Sequence, residues 1–400
     1  MALGDIIKIK FESIASGGDA LGKLDGKTIF TAGGAPFDLA LCRITEERNT
    51  WSKAEILEIQ EPSPFRVNAD CGYYIKCGGC NLMHIEYDAQ LNIKTSILKE
   101  QLLRSTGTKP PDIEVFPSPP YEYRNRMQFH CLRQAAEGEN FKFGLKGKGT
   151  NEIIAISDCH IANPGIRKVL KDTASFSKPI EKDRFTVFAY NDVFLSEGGQ
   201  GRGKIKLLNK EITLDAGVFF QSNCFMLEKL IIELGKIGEN ADTNLPMADL
   251  YCGVGTFAFF LSGSFPKVIL AEENKSAIAL ARENLRGINA EFFALRDSEW
   301  YKEGNRGQGS GTKKKGAFIS GEAFGFAVLD PPRAGLNIKF AKALAENGPK
   351  IIAYVSCDAS SLARDSKILQ GGGYMLKELK LFDFYPHTAH IESLAVFKKP

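Results

Sequence analysis

The first sixty residues alternate apolar and polar positions in short runs, IIKIKF, KTIFTA, LALCRI and AEILEI, separated by glycine-bearing turns such as SGGDALG and AGGAP. Period-two alternation at this spacing predicts short strands closing a small barrel. The segment EPSPFRV blocks both helix and central strand through its prolines and predicts a linker. Beyond it, EYDAQLNIKTSILKEQLLRSTG carries apolar residues at helical spacing and ends on glycine, the pattern of an amphipathic helix. Strands return over residues 121–160, in YRNRMQFHCLR, FKFGLKG and NEIIAISDCH. From about residue 219 the apolar stretches MADLYCGVG, KVILAEEN, AFGFAVLDPP, KIIAYVSCD and ESLAVFKK are separated by helical segments. Strands alternating with helices predict a parallel α/β sheet covered on both faces.

A chain of 400 residues with 44% hydrophobic content has room for two or three domains with real cores. Its formal net charge of +3 is too small to mark a nucleic-acid binder, so any RNA-binding surface must be local. YEYRNRMQFH interleaves basic and aromatic residues, which suits a nucleic acid and equally suits a strand with one solvated side. The glycine-rich, basic stretch YKEGNRGQGSGTKKKGA, between Trp300 and Phe318, is expected to be a flexible, solvated insertion. The N-terminus lacks the apolar core of a signal peptide, and charges interrupt every long apolar run, which predicts a cytoplasmic protein with no membrane partner.

In such a compartment nine cysteines are poor candidates for a disulfide framework, and tightly spaced ones are more often ligands or catalytic groups. Cys71, Cys77 and Cys80 form C-x5-C-x2-C on a glycine-bearing loop, and Cys159 offers a fourth thiolate from a distant segment. Four thiolates suit tetrahedral zinc or an iron–sulfur cluster. Zinc sites usually present two close cysteine pairs, so three ligands on one loop and one alone favour the cluster. A radical-type cluster leaves one iron open, and the additional Cys159 argues against that. The expected role is structural, a 4Fe-4S staple between two remote segments.

MADLYCGVGTFAFFL runs from an apolar strand through a glycine turn into an apolar helix, and Gly253 and Gly255 would let the backbone approach a ligand closely. A dinucleotide fits that turn. S-adenosylmethionine fits better, because the third glycine of the dinucleotide fingerprint is missing, Asp249 precedes the turn, and the next strand ends in Glu272 and Glu273. Asp330 of FAVLDPPRAG falls at the carboxyl end of the third strand, where open α/β sheets bind ligands. Exocyclic-amine methyltransferases often place an aromatic residue after this D-P-P, whereas Arg333 stands here. Cys357 ends the fourth strand, where it either packs or reacts, and His387, His390 and Glu392 precede the last strand. A thiol, acids and a cofactor turn at one sheet edge suit methylation of C5 of uracil. A thiolate adding to C6 makes C5 nucleophilic, and a carboxylate then removes the C5 proton.

The series CGYYIKCGGCNLMHIEYDAQLNIK, YRNRMQFH, FFQSN, DLYCGVGTFAF, LDPPRAG, YVSCDASSLARD and HTAHIESLAVF resembles, in this order and over nearly the whole chain, the motifs of RNA uracil-C5 methyltransferases. The resemblance implies Cys357 as nucleophile and Glu392 as general base. It implies cofactor contacts at Gln221, Tyr251, Glu272 and Asp330, with Phe219 lining the base pocket. A further polar contact falls in RDSE, where Arg296 and Asp297 both qualify and Asp297 is taken. The fold it implies is multidomain α/β. A TRAM (OB-like) β-barrel would occupy residues 1–61, and a central α+β iron–sulfur and RNA-binding domain residues 62–82 and 116–218. A Rossmann-like class I S-adenosylmethionine methyltransferase domain would take residues 83–115 and 219–400. Members with the four-cysteine pattern are similar to 23S rRNA enzymes, which implies a monomer acting on 23S rRNA or its assembly intermediate. A tRNA uridine-C5 methyltransferase, an exocyclic-amine nucleic-acid methyltransferase and a noncatalytic iron–sulfur RNA-binding protein are the alternatives.

Overall fold

The structure, a computed structural model, describes residues 2–133, 141–171, 184–197, 199–300 and 324–400. The basic insertion expected after Trp300 therefore lies outside the described residues. Two compact units result: Met1–Ile97, Pro117–Val187 and Phe384–His390 form the first, and Leu98–Phe116, Phe188–Asp383 and Ile391–Pro400 the second.

The first unit opens with β1 (Ile6–Ile14), β2 (Ala20–Leu24), β3 (Lys27–Thr31), β4 (Leu39–Glu47) and β5 (Trp51–Glu61), closed into a barrel in the order β1-β2-β3-β5-β4. The alternating residues that predicted it point inward: Ile9, Phe11, Ile29, Ala40, Cys42 and Ile44 are buried together. The proline segment behind the barrel is irregular, as expected, yet it is tied down. Buried Asp38 accepts the Ser63 N–H at 2.8 Å and the Ala35 N–H at 2.7 Å, and it pairs with Arg66. Helix α1 (Tyr87–Thr106) starts in this unit and crosses into the second between Ile97 and Leu98. β6 (Ile113–Phe116) belongs to the second unit. In the first, β7 (Arg126–Arg133), β8 (Phe141–Lys146) and β9 (Ile153–Ala155) pair antiparallel, followed by α2 (Pro164–Lys171). The unit boundary also crosses β10 (Arg184–Tyr190).

The second unit contains β11 (Val193–Ser196), the hairpin of β12 (Arg202–Leu207) and β13 (Lys210–Asp215), and a covered sheet. Its elements are α3 (Cys224–Gly238), β14 (Met247–Leu250), α4 (Thr256–Leu261), β15 (Val268–Glu272), α5 (Lys275–Asn284), β16 (Ala290–Ala294), β17 (Phe326–Leu329), α6 (Ile338–Asn347), β18 (Ile351–Ser356), α7 (Ala359–Gly371), β19 (Met375–Phe382) and β20 (Glu392–Lys398). The eight-stranded order is β16-β15-β14-β17-β18-β20-β19-β6. β14, β17 and β18 are buried along their whole length, which is why they read as largely apolar runs, interrupted by the buried Asp249 of β14 and Ser356 of β18. β14 has β15 on one side and β17 on the other, both parallel, so the order reverses at β14 and opens a crevice at the carboxyl ends. β20 inserts antiparallel between β18 and β19.

Candidate active site

That insertion brings the chemistry together. Because β20 runs antiparallel to β18, Ser393 stands opposite Ser356, so Glu392, the first residue of β20, lies at the rim where β18 releases Cys357. The neighbouring parallel strands end at the same rim and deliver Asp330, Tyr251 and Glu272. Cys357 is followed by Asp358, whose side chain caps α7 by accepting the Ser361 N–H at 2.7 Å. A thiol at a helix N-terminus gains from the partial positive charge there once it ionises.

The expected cofactor residues contact one another. Gln221 Nε2 donates to Asp330 Oδ2 at 3.2 Å, the Tyr251 hydroxyl to Asp297 Oδ2 at 3.1 Å, and the Gly253 N–H to Glu272 Oε2 at 3.1 Å. The second Glu272 oxygen accepts the Asn274 N–H at 2.8 Å, and each carboxylate oxygen retains a lone pair for a further donor. Asp297 also receives the Asn337 N–H at 3.2 Å, whereas the Arg296 side chain is 77% exposed and faces Glu273. The geometry separates the two residues that RDSE left open. Gly253 (φ 54°) has open space where a Cβ would stand. Gly255 (φ 81°) does not, since a Cβ there would fall 2.7 Å from Leu285 Cδ1; its smallness serves the packing of α4 against α5. Phe219 is 60% exposed beside Gln221, while its neighbour Phe220 is buried against Phe188.

Acids dominate this rim. Burial, reinforced by Asp330 and Glu272, pushes Asp249 up to about 7. Its Oδ2 accepts the Ala258 N–H at 2.8 Å and so closes the turn into α4. Burial and Glu272 raise Asp330 against the hydrogen bond from Gln221. Glu392 is raised well above the carboxylate range by burial and by Asp330, and Cys357 is pushed up to about 12 by burial, Glu392 and Asp330. Arg333 opposes the rise at both Cys357 and Glu392. The sequence reading used Arg333 only as the missing aromatic residue. The signal for its larger part was the excess of acids among the rim motifs, which calls for a cation. The two histidines expected near Glu392 lie in the first unit, where the His387 N–H donates to Gln90 Oε1 at 2.8 Å.

In the first unit Cys71, Cys77, Cys80 and Cys159 line one cavity of about 540 Å³, together with Arg124. The cysteine loop is fixed to β8 by the Gly78 N–H bond to the Lys146 carbonyl at 2.9 Å. None of the nine cysteines is paired in a disulfide. Burial raises Cys80 to about 12 and Cys159 to about 11, while the positive charge of Arg124 favours the thiolate at both. Among the described residues no group of three or more His, Cys, Asp or Glu side chains is gathered to hold a metal ion, and no helix is long and apolar enough to cross a membrane.

Comparison with known proteins agrees with this arrangement. Residues 204–399 match the tRNA (Uracil-5-)-methyltransferase family. An uncharacterized RNA methyltransferase of Treponema denticola is 30% identical over 98% of both chains. The 23S rRNA (uracil(1939)-C(5))-methyltransferase RlmD of Pseudomonas entomophila is 27% identical over 98% of this chain and 93% of its own. Among solved structures, the Pyrococcus abyssi tRNA (uracil-54, C5)-methyltransferase in complex with S-adenosyl-L-homocysteine superposes with a TM-score of 0.73 at 22% identity, over 98% of this chain and 100% of that one. The 30% identity to the Treponema denticola relative along almost the entire length, with the family match over residues 204–399, shows that this chain belongs to the RNA (uracil-5-)-methyltransferase family.

Proposed function

We propose that the enzyme methylates C5 of an unpaired uridine in 23S rRNA, with Cys357 as nucleophile and Glu392 as general base. The observation that carries this reading is the antiparallel seating of β20, which sets Glu392 at the rim beside the strand that delivers Cys357. Bound S-adenosylmethionine supplies an electrophilic methyl group on a sulfonium. The donor set around the glycine turn suits it: Glu272 for a ribose diol, Asp297 and Tyr251 for polar groups of the nucleoside, Gln221 and Asp330 nearer the thiol, and Gly253 leaving open space above the backbone.

Cys357 first loses its thiol proton to solvent, its thiolate then adds to C6 of the ring, and the electron pair of the C5–C6 double bond moves toward C5 and the C4 carbonyl. Burial and the neighbouring acids hold Cys357 mainly as the thiol, while Arg333 and the α7 N-terminus favour the thiolate that reacts. After methylation C5 carries both the methyl group and its original proton. Glu392 takes that proton, the C5–C6 double bond re-forms, and the Cys357–C6 bond breaks. Glu392 serves here as the ionised carboxylate, which Arg333 favours against burial and Asp330. Phe219, exposed beside Gln221, offers a ring face for the extruded base.

The 23S rRNA assignment is supported by the name of the Pseudomonas entomophila relative and by the four cysteines. Those cysteines are proposed to hold a 4Fe-4S cluster. Four thiols on one cavity wall fit a group larger than a single ion, and Arg124 suits a cluster that carries net negative charge with its thiolates. The barrel, central and catalytic boundaries at residues 61, 82, 115 and 218 are proposed with the same family reading. Incubation of the purified enzyme with labelled S-adenosylmethionine and unmodified 23S rRNA should yield 5-methyluridine. Full activity of Cys357→Ala would point instead to exocyclic-amine methylation, and binding of RNA with no methyl transfer to a noncatalytic protein.

A further inference from the structure

We propose that Asp365 is a positioning residue that fixes Arg333 against Cys357 and Glu392, by tying the loop after β17 to the strand that delivers the thiol. The inference rests on the reading of Cys357 as nucleophile. Asp365 is fully buried on α7. Its Oδ2 accepts the Leu336 N–H at 2.8 Å and the Tyr354 hydroxyl at 2.7 Å, and its Oδ1 accepts Arg364 Nε at 2.8 Å. Arg364 Nη2 in turn donates to the Leu336 carbonyl at 3.0 Å. Both backbone polar groups of Leu336 are therefore held by adjacent side chains of one helix.

Two of the three partners of Asp365, Tyr354 and Leu336, are the informative ones. Tyr354 stands on β18, three residues before Cys357, and Leu336 follows Arg333 in the DPPRAGL loop. Little slack lies between Arg333 and the anchor, because the Gly335 N–H closes a turn onto the Pro332 carbonyl at 2.7 Å. Gly335 has φ +71°, and a Cβ there would lie 2.6 Å from both Arg364 Nη2 and Asp365 Oδ2. On the other side Asp330 is held by Gln221 and by its own N–H to the Leu250 carbonyl at 3.2 Å, and two prolines stiffen the connection. Arg333 thus projects from a short loop pinned at both ends. Of the charged neighbours that bear on Cys357 and Glu392, it is the cation set against the acids. A carboxylate with no route to the reacting atoms governs where that cation stands.

A buried network of this kind also stabilises the fold, so the test needs a readout that stability alone does not move. Full-length Asp365→Asn, Arg364→Lys and Tyr354→Phe are compared with wild type on unmodified 23S rRNA. The measurements are kcat, KM, S-adenosylmethionine affinity by calorimetry, and the pH dependence of Cys357 alkylation by iodoacetamide, followed on its peptide by mass spectrometry. A displacement of the order of 1 Å at a reacting group lowers rates by about a hundredfold, so kcat should fall about ten- to a hundredfold for Asp365→Asn and less for Tyr354→Phe. KM and cofactor affinity should stay within about threefold, and the alkylation midpoint should move up by about one pH unit as Arg333 is released. Because Asp365 acts through Arg333, adding Asp365→Asn to Arg333→Met should lower kcat no further. Additive losses, or a fall in kcat with an unmoved alkylation midpoint, would overturn the proposal. If Asp365→Asn does not fold, Tyr354→Phe and Arg364→Lys decide, and unchanged kcat and midpoint in both defeat it. Activity in Cys357→Ala, run alongside, would defeat the nucleophile reading instead.

Discussion

Replacing Asp249 by asparagine should flatten the pH dependence of this enzyme's stability. Asp249 is fully buried, its Oδ2 caps the Ala258 N–H, and its Oδ1 has no hydrogen-bond partner among the described residues. Burial, then Asp330 and Glu272, pushes it to about 7 from an ordinary value of 3.8. Between those two values the folded chain keeps a proton that the unfolded chain has lost. The contribution of Asp249 to stability is therefore greatest at low pH and falls as pH rises, until Asp249 ionises in the folded state as well. At about 1.4 kcal/mol per unit the full penalty is about 4 kcal/mol, of which about 2–3 kcal/mol develops between pH 5 and 8. Asparagine can present the same acceptor to Ala258 and cannot ionise. Urea unfolding of both proteins without cofactor, at pH 5, 6, 7 and 8, should show the wild type losing about 2–3 kcal/mol more than Asp249→Asn across the range. In melting temperature this is about 2–4 °C for a chain of 400 residues. Asp330 and Glu392 titrate in both proteins, so the difference isolates Asp249. Parallel curves would refute the reasoning and mean that the acids of this rim do not feel their burial.

Protein purified without oxygen should be brown, with iron and sulfide in near-equal amounts, and Cys159→Ser should lose the colour; stoichiometric zinc without sulfide would contradict the cluster. Asn223→Ala removes the side chain that caps α3 by accepting the Met226 N–H at 3.2 Å, and should lower stability by about 1 kcal/mol with cofactor affinity unchanged. A uridine in a loop should be methylated and the same uridine in a perfect duplex should not, because C5 and C6 must both be reached from the faces of the ring; equal rates would remove the requirement for an extruded base.

Much of this molecule was legible in its sequence because its elements are locally consistent. The barrel strands alternate, the α/β strands are apolar throughout, and the glycine turn sits between a strand and a helix. Periodicity could not show that the last strand inserts antiparallel between β18 and β19, since ESLAVFKK reads as a buried strand in any position. That placement, rather than proximity in sequence, brings Glu392 to the thiol's rim. The choice between Arg296 and Asp297 depended on which side chain turns toward Tyr251, a question of backbone direction that composition does not answer. Helix α1 runs unbroken across the division between the units and buries the polar Gln90 and Lys94, so its apolar spacing does not mark that division. Asp365 carries no signal of its own in LARD, and only its three donors and complete burial reveal a structural partner.

The covalent mechanism is tested most directly by trapping the RNA on the enzyme. Glu392 is needed only after Cys357 has added and the methyl group has moved, so Glu392→Gln should add and methylate yet fail to release. Incubated with S-adenosylmethionine and unmodified 23S rRNA, it should accumulate a methylated protein–RNA adduct that survives denaturing electrophoresis. The double substitution Cys357→Ala, Glu392→Gln should form none. Wild type on RNA containing 5-fluorouridine should be trapped in the same way, because fluorine does not leave as a proton does. An adduct that persists in the double variant, or a folded Glu392→Gln enzyme that releases 5-methyluridine at the wild-type rate, would contradict the assignment of the thiol and the base.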